Sequence, residues 1–94
     1  MTYRVIVEPE ALQDLINIYN FISTNDSQNK ATKFIRELEH SIASLSEMPL
    51  RCRKSYYTED ELTRDMIYKG YTIVFNVRET TVHILTVFRQ KSFW

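Results

Sequence analysis

The chain has 94 residues, 44% of them apolar and 26% charged, with 12 Lys or Arg residues against 12 Asp or Glu residues. These values are typical of a soluble globular protein, and we expect residues 1–94 to form a single domain. The single cysteine excludes an internal disulfide and favours a cytoplasmic location. No secretory leader is recognisable in the first ten residues, and no apolar run approaches the roughly 20 residues of a membrane span.

The charge is unevenly distributed along the chain. Residues 1–50 carry four Lys or Arg against seven Asp or Glu, and residues 51–94 carry eight against five, which gives balances of −3 and +3. A basic second half can steer polyanions. An excess of three charges nevertheless permits nucleic-acid binding without requiring it.

The first half of the sequence predicts a strand followed by two helices. Residues 2–7 are mostly β-branched, as in a strand, and Pro9 suits the first turn of a helix. Apolar residues at helical spacing then predict one buried stripe on each helix: Leu12, Leu15, Ile16, Tyr19 and Ile22 on the first, and Ala31, Phe34, Ile35, Leu38, Ile42 and Leu45 on the second. The polar residues 23–27 separate the helices, which we expect to form an antiparallel hairpin.

Residues 50–62 are interpreted as a loop, with room for a short strand near residues 54–57. The last third then predicts a three-stranded antiparallel meander whose turns are Lys69-Gly70 and residues 78–81. The expected pairs are Tyr68 with Tyr71, Met66 with Ile73, Arg64 with Phe75, Val77 with Val82, Phe75 with Ile84, and Tyr71 with Phe88.

Strand alternation assigns these residues to two faces of the sheet. The face expected on the helices carries Met66, Tyr68, Tyr71, Ile73, Phe75, Val77, Val82, Ile84 and Phe88. The other face carries Asp65, Ile67, Thr72, Val74, Asn76, His83, Leu85, Val87 and Arg89. No segment remains to cover this second, half-apolar face, so we expect it to be a partner-binding surface. A slip of one residue would exchange the two faces.

Basic and aromatic residues near the sheet are the candidates for chemistry. They include Arg51, Arg53, Lys54, Arg64, Lys69, Arg89 and Lys91, with Phe88, Phe93 and Trp94 beside the last of them. Each cation alone is more often a solvated surface charge, but together they could hold phosphates while aromatic rings stack on unpaired bases. His83 could act as the acid or base of RNA cleavage, although a partly buried structural histidine is the commoner case.

The sequence contains no glycine-rich phosphate loop, metal-ligand cluster or nucleophile motif. We therefore expect no cofactor and no metal. An enzyme is possible on the residues alone, but no motif requires one.

The ordered set of elements and residues resembles the RelE/ParE superfamily of toxins from type II toxin–antitoxin systems. The resemblance covers nearly the whole chain and rests on residues 3–15 (YRVIVEPEALQDL), Pro49, Arg64, residues 70–75 (GYTIVF), residues 82–87 (VHILTV) and residues 89–91 (RQK). It implies an α+β fold: an N-terminal strand, an antiparallel helical hairpin, and a three-stranded antiparallel meander in one sheet packed on the helices. It also implies a growth inhibitor neutralised by a cognate antitoxin, in a toxin–antitoxin hetero-oligomer.

The superfamily divides by target. RelE-like members are ribosome-dependent mRNA endonucleases, and ParE-like members inhibit DNA gyrase without that catalytic set. Positions where RelE-like enzymes place basic groups are Thr63, Asp65, Thr72 and Gln90 here. These departures favour the ParE-like alternative, with a RelE-like nuclease as the second hypothesis and an inactive antitoxin-binding module as the third.

The two main hypotheses assign different roles to the candidate residues. A nuclease would use Arg64, His83, Arg89 and Lys91 as its catalytic groups. The residues expected to bind the target or the antitoxin in either case are Arg51, Arg53, Lys54, Ile67, Val74, Leu85, Val87, Phe93 and Trp94.

Overall fold

The computed structural model describes residues 2–55 and 58–89. Its elements follow the predicted order: β1 (Arg4–Val7), α1 (Pro9–Asn25), α2 (Gln28–Ala43), two 3-10 turns (Ser44–Ser46 and Pro49–Arg51), β2 (Arg53–Lys54), β3 (Thr63–Tyr68), β4 (Tyr71–Arg78) and β5 (Thr81–Arg89). The predicted α+β fold is confirmed. Part of the short strand expected near residues 54–57 lies at residues 56 and 57, outside the described residues.

All five strands form one sheet in the order β1-β5-β4-β3-β2. The strands from β2 to β5 are antiparallel to their neighbours, whereas β1 runs parallel to β5. After Val7 the chain leaves the sheet, forms the two helices, and returns to the sheet as the remaining strands. Strand β1 lies at one edge of the sheet, beside β5.

Two short turns fix the register of the meander. Lys69 and Gly70 have φ of 46° and 86°, the left-handed pair of a two-residue type I′ turn, and glycine adopts this conformation without strain. This turn pairs Tyr68 with Tyr71, and the predicted Met66–Ile73 and Arg64–Phe75 pairs follow. The second turn holds Glu79 at a φ of 54°. It gives the predicted pairs of Val77 with Val82 and of Phe75 with Ile84.

The prediction that Tyr71 pairs with Phe88 is wrong. A β-bulge makes Leu85 an extra residue, because Phe75 pairs with Ile84 whereas Val74 pairs with Thr86. Tyr71 consequently pairs with Arg89. The bulge places the last residues of β5 on the opposite face of the sheet from the one predicted for them.

The carboxylate of Asp14 in α1 binds this bulge directly. Its Oδ2 accepts hydrogen bonds from Thr86 Oγ1 at 2.7 Å and from the Val87 backbone N–H at 2.9 Å. Val87 is therefore only 2% exposed and belongs to the core, although alternation had placed it on the open face. Asp14 thus couples the first helix to the register of the last strand.

The hydrophobic core lies between the helices and one face of the sheet. The helices and the first 3-10 turn contribute Ala11, Leu15, Ile18, Leu38, Ile42 and Leu45, and the strands contribute Ile73, Phe75, Val77, Val82, Ile84 and Val87. Helix α2 begins at the Ser27 N-cap, whose Oγ accepts a hydrogen bond from the Lys30 backbone N–H at 3.1 Å. The stripe predicted for α2 packs as expected.

The stripe predicted for α1 is partly wrong. Leu12 is 53% exposed and Ile16 is 45% exposed. The buried residues of α1 are Ala11, Leu15 and Ile18, of which only Leu15 belongs to the predicted stripe. The apolar arc of α1 is wider than its contact with the sheet and α2, so part of it faces outward.

The second face of the sheet is less open than predicted. Thr63, Asp65, Thr72, Val74 and Asn76 are all buried on it. At one end the loop before β3 supplies Asp60, whose Oδ2 accepts hydrogen bonds from Thr63 Oγ1 and Asn76 Nδ2 on this face, both at 3.3 Å. The expected uncovered apolar surface is therefore reduced to Ile67 and the half-buried Leu85.

Candidate functional site

Arg64 is held by three backbone carbonyls. Its Nε donates to the Glu61 carbonyl at 2.8 Å, and one terminal nitrogen donates to the carbonyls of Leu50 and Cys52 at 3.2 and 3.1 Å. The guanidinium thereby joins β3 to the segment that precedes β2. This arrangement uses the fork of donors that arginine supplies and gives Arg64 a structural role.

His83 is paired with a carboxylate from the other end of the chain. Its Nδ1 lies 2.8 Å from Oε2 of Glu8, the N-cap residue of α1, and the Glu8 backbone N–H donates to the Ile84 carbonyl at 3.0 Å. A carboxylate at Nδ1 fixes the orientation and tautomer of an imidazole. The other ring nitrogen, Nε2, is then the one that can exchange a proton with a bound molecule.

A polar cleft of about 500 Å³ lies beside this pair. Opposite His83, Asn76 donates from Nδ2 to Thr63 Oγ1 at 3.0 Å and to Asp60 Oδ2 at 3.3 Å. Asn76 Oδ1 accepts a hydrogen bond from Arg78 Nε at 3.0 Å, which folds Arg78 back along the cleft. Sequence analysis missed this network because Asp60 lies in a loop, and loop residues follow no periodic pattern that places them beside a strand.

The candidate nuclease groups do not come together. Arg64 pairs with Phe75 on the helix face, whereas His83 pairs with Asn76 on the other face. Arg89 is six residues beyond His83 on β5, roughly 20 Å away at the rise of a strand. Lys91, the fourth candidate, lies outside the described residues.

The basic residues of the loop differ in their partners. Arg53 forms an ion pair of 3.6 Å with the buried Asp65, and Lys54 forms one of 3.4 Å with Glu61. Arg51 is exposed at the end of the second 3-10 turn. Two of these three expected binding cations therefore also serve to hold β2 and its loop on β3.

The expected apolar binding residues are similarly divided. Ile67 is 42% exposed and Leu85 lines the polar cleft, so both are accessible. Val74 and Val87 are buried and cannot contact a partner without rearrangement. Phe93 and Trp94 lie outside the described residues.

Helix α1 exposes three large apolar side chains, two of which, Leu12 and Ile16, the sequence had assigned to the core. Leu12, Ile16 and Phe21 are each exposed by 45% or more. Leu12 borders a groove of about 260 Å³ whose other lining residues are Val5, Val7, Leu15, Glu39, Ile42 and Ala43. The apolar arc on α1 is wider than one buried stripe needs, and this extra width was the signal for the exposed surface.

A charged cluster joins α2 to the β3–β4 turn. Glu37 Oε1 accepts hydrogen bonds from Tyr68 Oη and Lys69 Nζ, both at 2.9 Å. The bond from Lys69, assisted by that from Tyr68, holds the pKa of Glu37 below its ordinary value, and the same bond raises the pKa of Lys69. Partial burial and the bond to Glu37 raise the pKa of Tyr68.

Residues 2–55 and 58–89 contain no group of three or more His, Cys, Asp or Glu side chains that could hold a metal ion. Partial burial raises the pKa of the Cys52 thiol, so the thiol is neutral near pH 7 and poorly nucleophilic. Within the same ranges no helix is long and apolar enough to cross a membrane.

Two solved structures share this architecture. A chain of the chromosomal ParDE system from P. aeruginosa superposes with a TM-score of 0.82 at 17% identity, covering 96% of this chain and 98% of that one. A chain of the toxin–antitoxin complex RelBE2 from Mycobacterium tuberculosis gives a TM-score of 0.65 at 24% identity, covering 96% of this chain and 100% of that one. A sequence comparison with curated proteins gave no match.

The helical hairpin and the five-stranded sheet of this chain thus have the same fold as these two solved structures. The family described as "ParE toxin of type II toxin-antitoxin system, parDE" matches residues 5–94. The chain therefore belongs to the ParE toxin family of type II toxin–antitoxin systems.

Proposed function

We propose that this toxin inhibits DNA gyrase without catalysing a reaction of its own, and that a cognate antitoxin neutralises it. The observation that carries this proposal is the separation of the candidate nuclease residues. Arg64 is bound to three carbonyls on one face of the sheet, and His83 is bound to Glu8 on the other. RNA cleavage needs an acid, a base and a cation gathered around one phosphate.

The positions where RelE-like nucleases carry basic groups support the same proposal. Thr63 is buried in the network with Asp60 and Asn76, and Asp65 is buried beside Arg53. Thr72 is fully buried. None of these three side chains supplies a positive charge to a phosphate.

The test is a supercoiling assay with purified gyrase, relaxed plasmid and ATP. We expect the toxin to block supercoiling and to trap cleaved DNA as its concentration approaches that of gyrase. A catalytic nuclease would instead leave supercoiling unchanged and cleave ribosome-bound mRNA at much lower concentration. Gyrase that remains fully active with the toxin in stoichiometric excess would exclude the proposal.

The second candidate function is ribosome-dependent mRNA cleavage, and one observation favours it. The pair His83–Glu8 lies beside Arg78 in a polar cleft, which places a potential base near a potential phosphate-binding cation. Under this alternative, His83→Ala and Arg78→Ala lose cleavage of ribosome-bound message. Intact message in cells arrested by the toxin would exclude it, and normal growth on expression of the chain alone would favour an inactive antitoxin-binding module.

The antitoxin-binding surface that we propose lies at β1 and α1. Both structural relatives come from toxin–antitoxin systems. In this chain, β1 is an edge strand, and the apolar groove lined by Leu12 runs next to it. An extended or helical segment of a partner can pair with such an edge and place apolar side chains in such a groove.

This surface can be tested with two exposed leucines. Leu12→Glu introduces a charge at the groove, and we expect it to weaken antitoxin binding at least tenfold. Leu62 is 47% exposed and lies in the loop before β3, so Leu62→Glu is the matched control. Equal affinities of the two variants, measured by calorimetry, would place the antitoxin elsewhere, for example on Ile67 and Leu85.

A further inference from the structure

Helix α2 and the β3–β4 turn expose four cations on one side of the molecule. Lys30, Lys33 and Arg36 follow one another at three-residue intervals on α2, and Lys69 reaches the same helix through Glu37. All four side chains are exposed. We call these four residues the basic patch.

The basic patch retains an excess of positive charge after its ion pairs are counted. Lys30 is 3.2 Å from Asp26, and Lys69 is 2.9 Å from Glu37. Within residues 2–55 and 58–89, neither Lys33 nor Arg36 forms an ion pair with a carboxylate. Four cations less two carboxylates leave a local charge of +2.

This surface was not singled out by the sequence, because the first half of the chain is acidic overall. The acidic residues Glu8 and Asp14 bind His83 and Thr86 at the sheet. Glu39 lines the apolar groove beside β1. The fold therefore draws Glu8 and Asp14 away from the cations of α2.

The shape of the patch indicates the kind of anion that fits it. From Lys30 to Arg36 the helix rises roughly 9 Å. An open groove of about 380 Å³ is lined by Lys30, Lys33 and Lys69 together with Ile22, Phe34 and Glu37. Exposed lysines on a convex helix hold a single small anion poorly. A linear polyanion can contact all four cations at once, because duplex DNA presents one charge about every 1.7 Å.

We propose that the basic patch binds the phosphate backbone of duplex DNA directly. Lys33 and Arg36 make the central contacts, and Lys30 and Lys69 flank them. Because all four contact phosphates, the binding does not depend on base sequence. The proposal does not depend on gyrase as the target, since the toxin would bind DNA in the absence of any other protein. A toxin bound to DNA through α2 leaves β1 and α1 free.

The test is the salt dependence of DNA binding, measured by fluorescence anisotropy with the purified toxin and a labelled duplex of roughly 20 base pairs. If four cations contact phosphates, affinity falls about 150-fold between about 50 and 200 mM NaCl, because each contact contributes a slope of about −0.9. In Lys33→Gln/Arg36→Gln only two contacts remain, and the same change in salt lowers affinity about 12-fold.

Two further variants make the result specific to the patch. Glu37→Gln removes a carboxylate that repels phosphate and frees Lys69, so we expect tighter binding. Arg4→Gln removes an exposed cation that pairs with Thr81, at the end of the sheet opposite the β3–β4 turn, and we expect wild-type behaviour.

Three results would overturn the proposal: an unchanged salt slope in Lys33→Gln/Arg36→Gln, an equal loss in Arg4→Gln, or tighter binding of polyglutamate or single-stranded RNA than of duplex DNA. The assay contains no gyrase. Its failure would therefore leave the proposed inhibition of gyrase untouched, and an inactive toxin in the supercoiling assay would leave DNA binding untouched.

Discussion

Replacing Arg64 separates a structural role from a catalytic one. In Arg64→Ala, the carbonyls of Glu61, Leu50 and Cys52 lose the donors that lie 2.8, 3.2 and 3.1 Å away. Because Arg64 is half-buried, water can replace part of each bond, so we take about 1 kcal/mol per bond and expect a loss of about 3 kcal/mol in the free energy of unfolding. For a domain of this size, that loss lowers Tm by roughly 12–24 °C.

The assay is urea and thermal unfolding followed by circular dichroism, with two companion variants. Arg64→Lys keeps the charge but not the planar fork, so we expect about half of the loss. Arg51→Ala removes an exposed arginine from the neighbouring 3-10 turn and should change stability by no more than about 0.5 kcal/mol. If Arg64→Ala keeps the wild-type Tm while toxicity disappears, the structural account of Arg64 is wrong and a catalytic role is favoured.

Three other predictions concern the bulge, the core and the charged cluster. Asp14→Ala removes both hydrogen bonds to the bulge, and we expect about 2 kcal/mol lower stability with faster amide exchange at Val87; unchanged exchange would contradict this role. Val87→Thr buries a hydroxyl and should cost about 1–3 kcal/mol, whereas Ile67→Thr, at an exposed position, should cost no more than about 0.5 kcal/mol; equal costs would contradict the observed register. The lowered pKa of Glu37 means that its ionised form stabilises the fold above its ordinary pKa of 4.5, and that this contribution is lost as the pH falls through the folded-state value. The difference in Tm between the wild type and Glu37→Gln should therefore shrink on acidification from pH 7; a constant difference would show that the pair with Lys69 contributes nothing.

The sequence predicted the element order and most of the sheet register because both depend on local signals. Gly70 and its neighbour Lys69 fixed one hairpin, since a left-handed pair closes a two-residue turn of type I′. Alternation then placed Ile73, Phe75 and Val82 in the core. These are properties of residues close together in the chain.

The bulge could not be predicted in this way. It depends on Asp14, which is 72 residues from Thr86 in sequence and 2.7 Å from it in space. Nothing in the local pattern of β5 indicates an extra residue at Leu85. One missed bulge was enough to assign Val87 to the wrong face.

The candidate site was predicted less well than the fold, for a similar reason. Residue type identified Arg64 and His83 as candidates, but their partners, three backbone carbonyls and Glu8, come from distant segments. Helical spacing alone also could not show which part of the apolar arc on α1 is buried. Leu12 and Ile16 became surface residues because the sheet and α2 cover only one side of that arc.

The central claim, that this ParE-family toxin acts on gyrase rather than on message, is tested most directly in cells that express the chain alone. Plasmid supercoiling and mRNA integrity are measured in the same culture as growth stops. We predict relaxed plasmid, cleaved DNA and intact message. Normally supercoiled plasmid together with fragmented message would contradict the claim and establish the nuclease alternative.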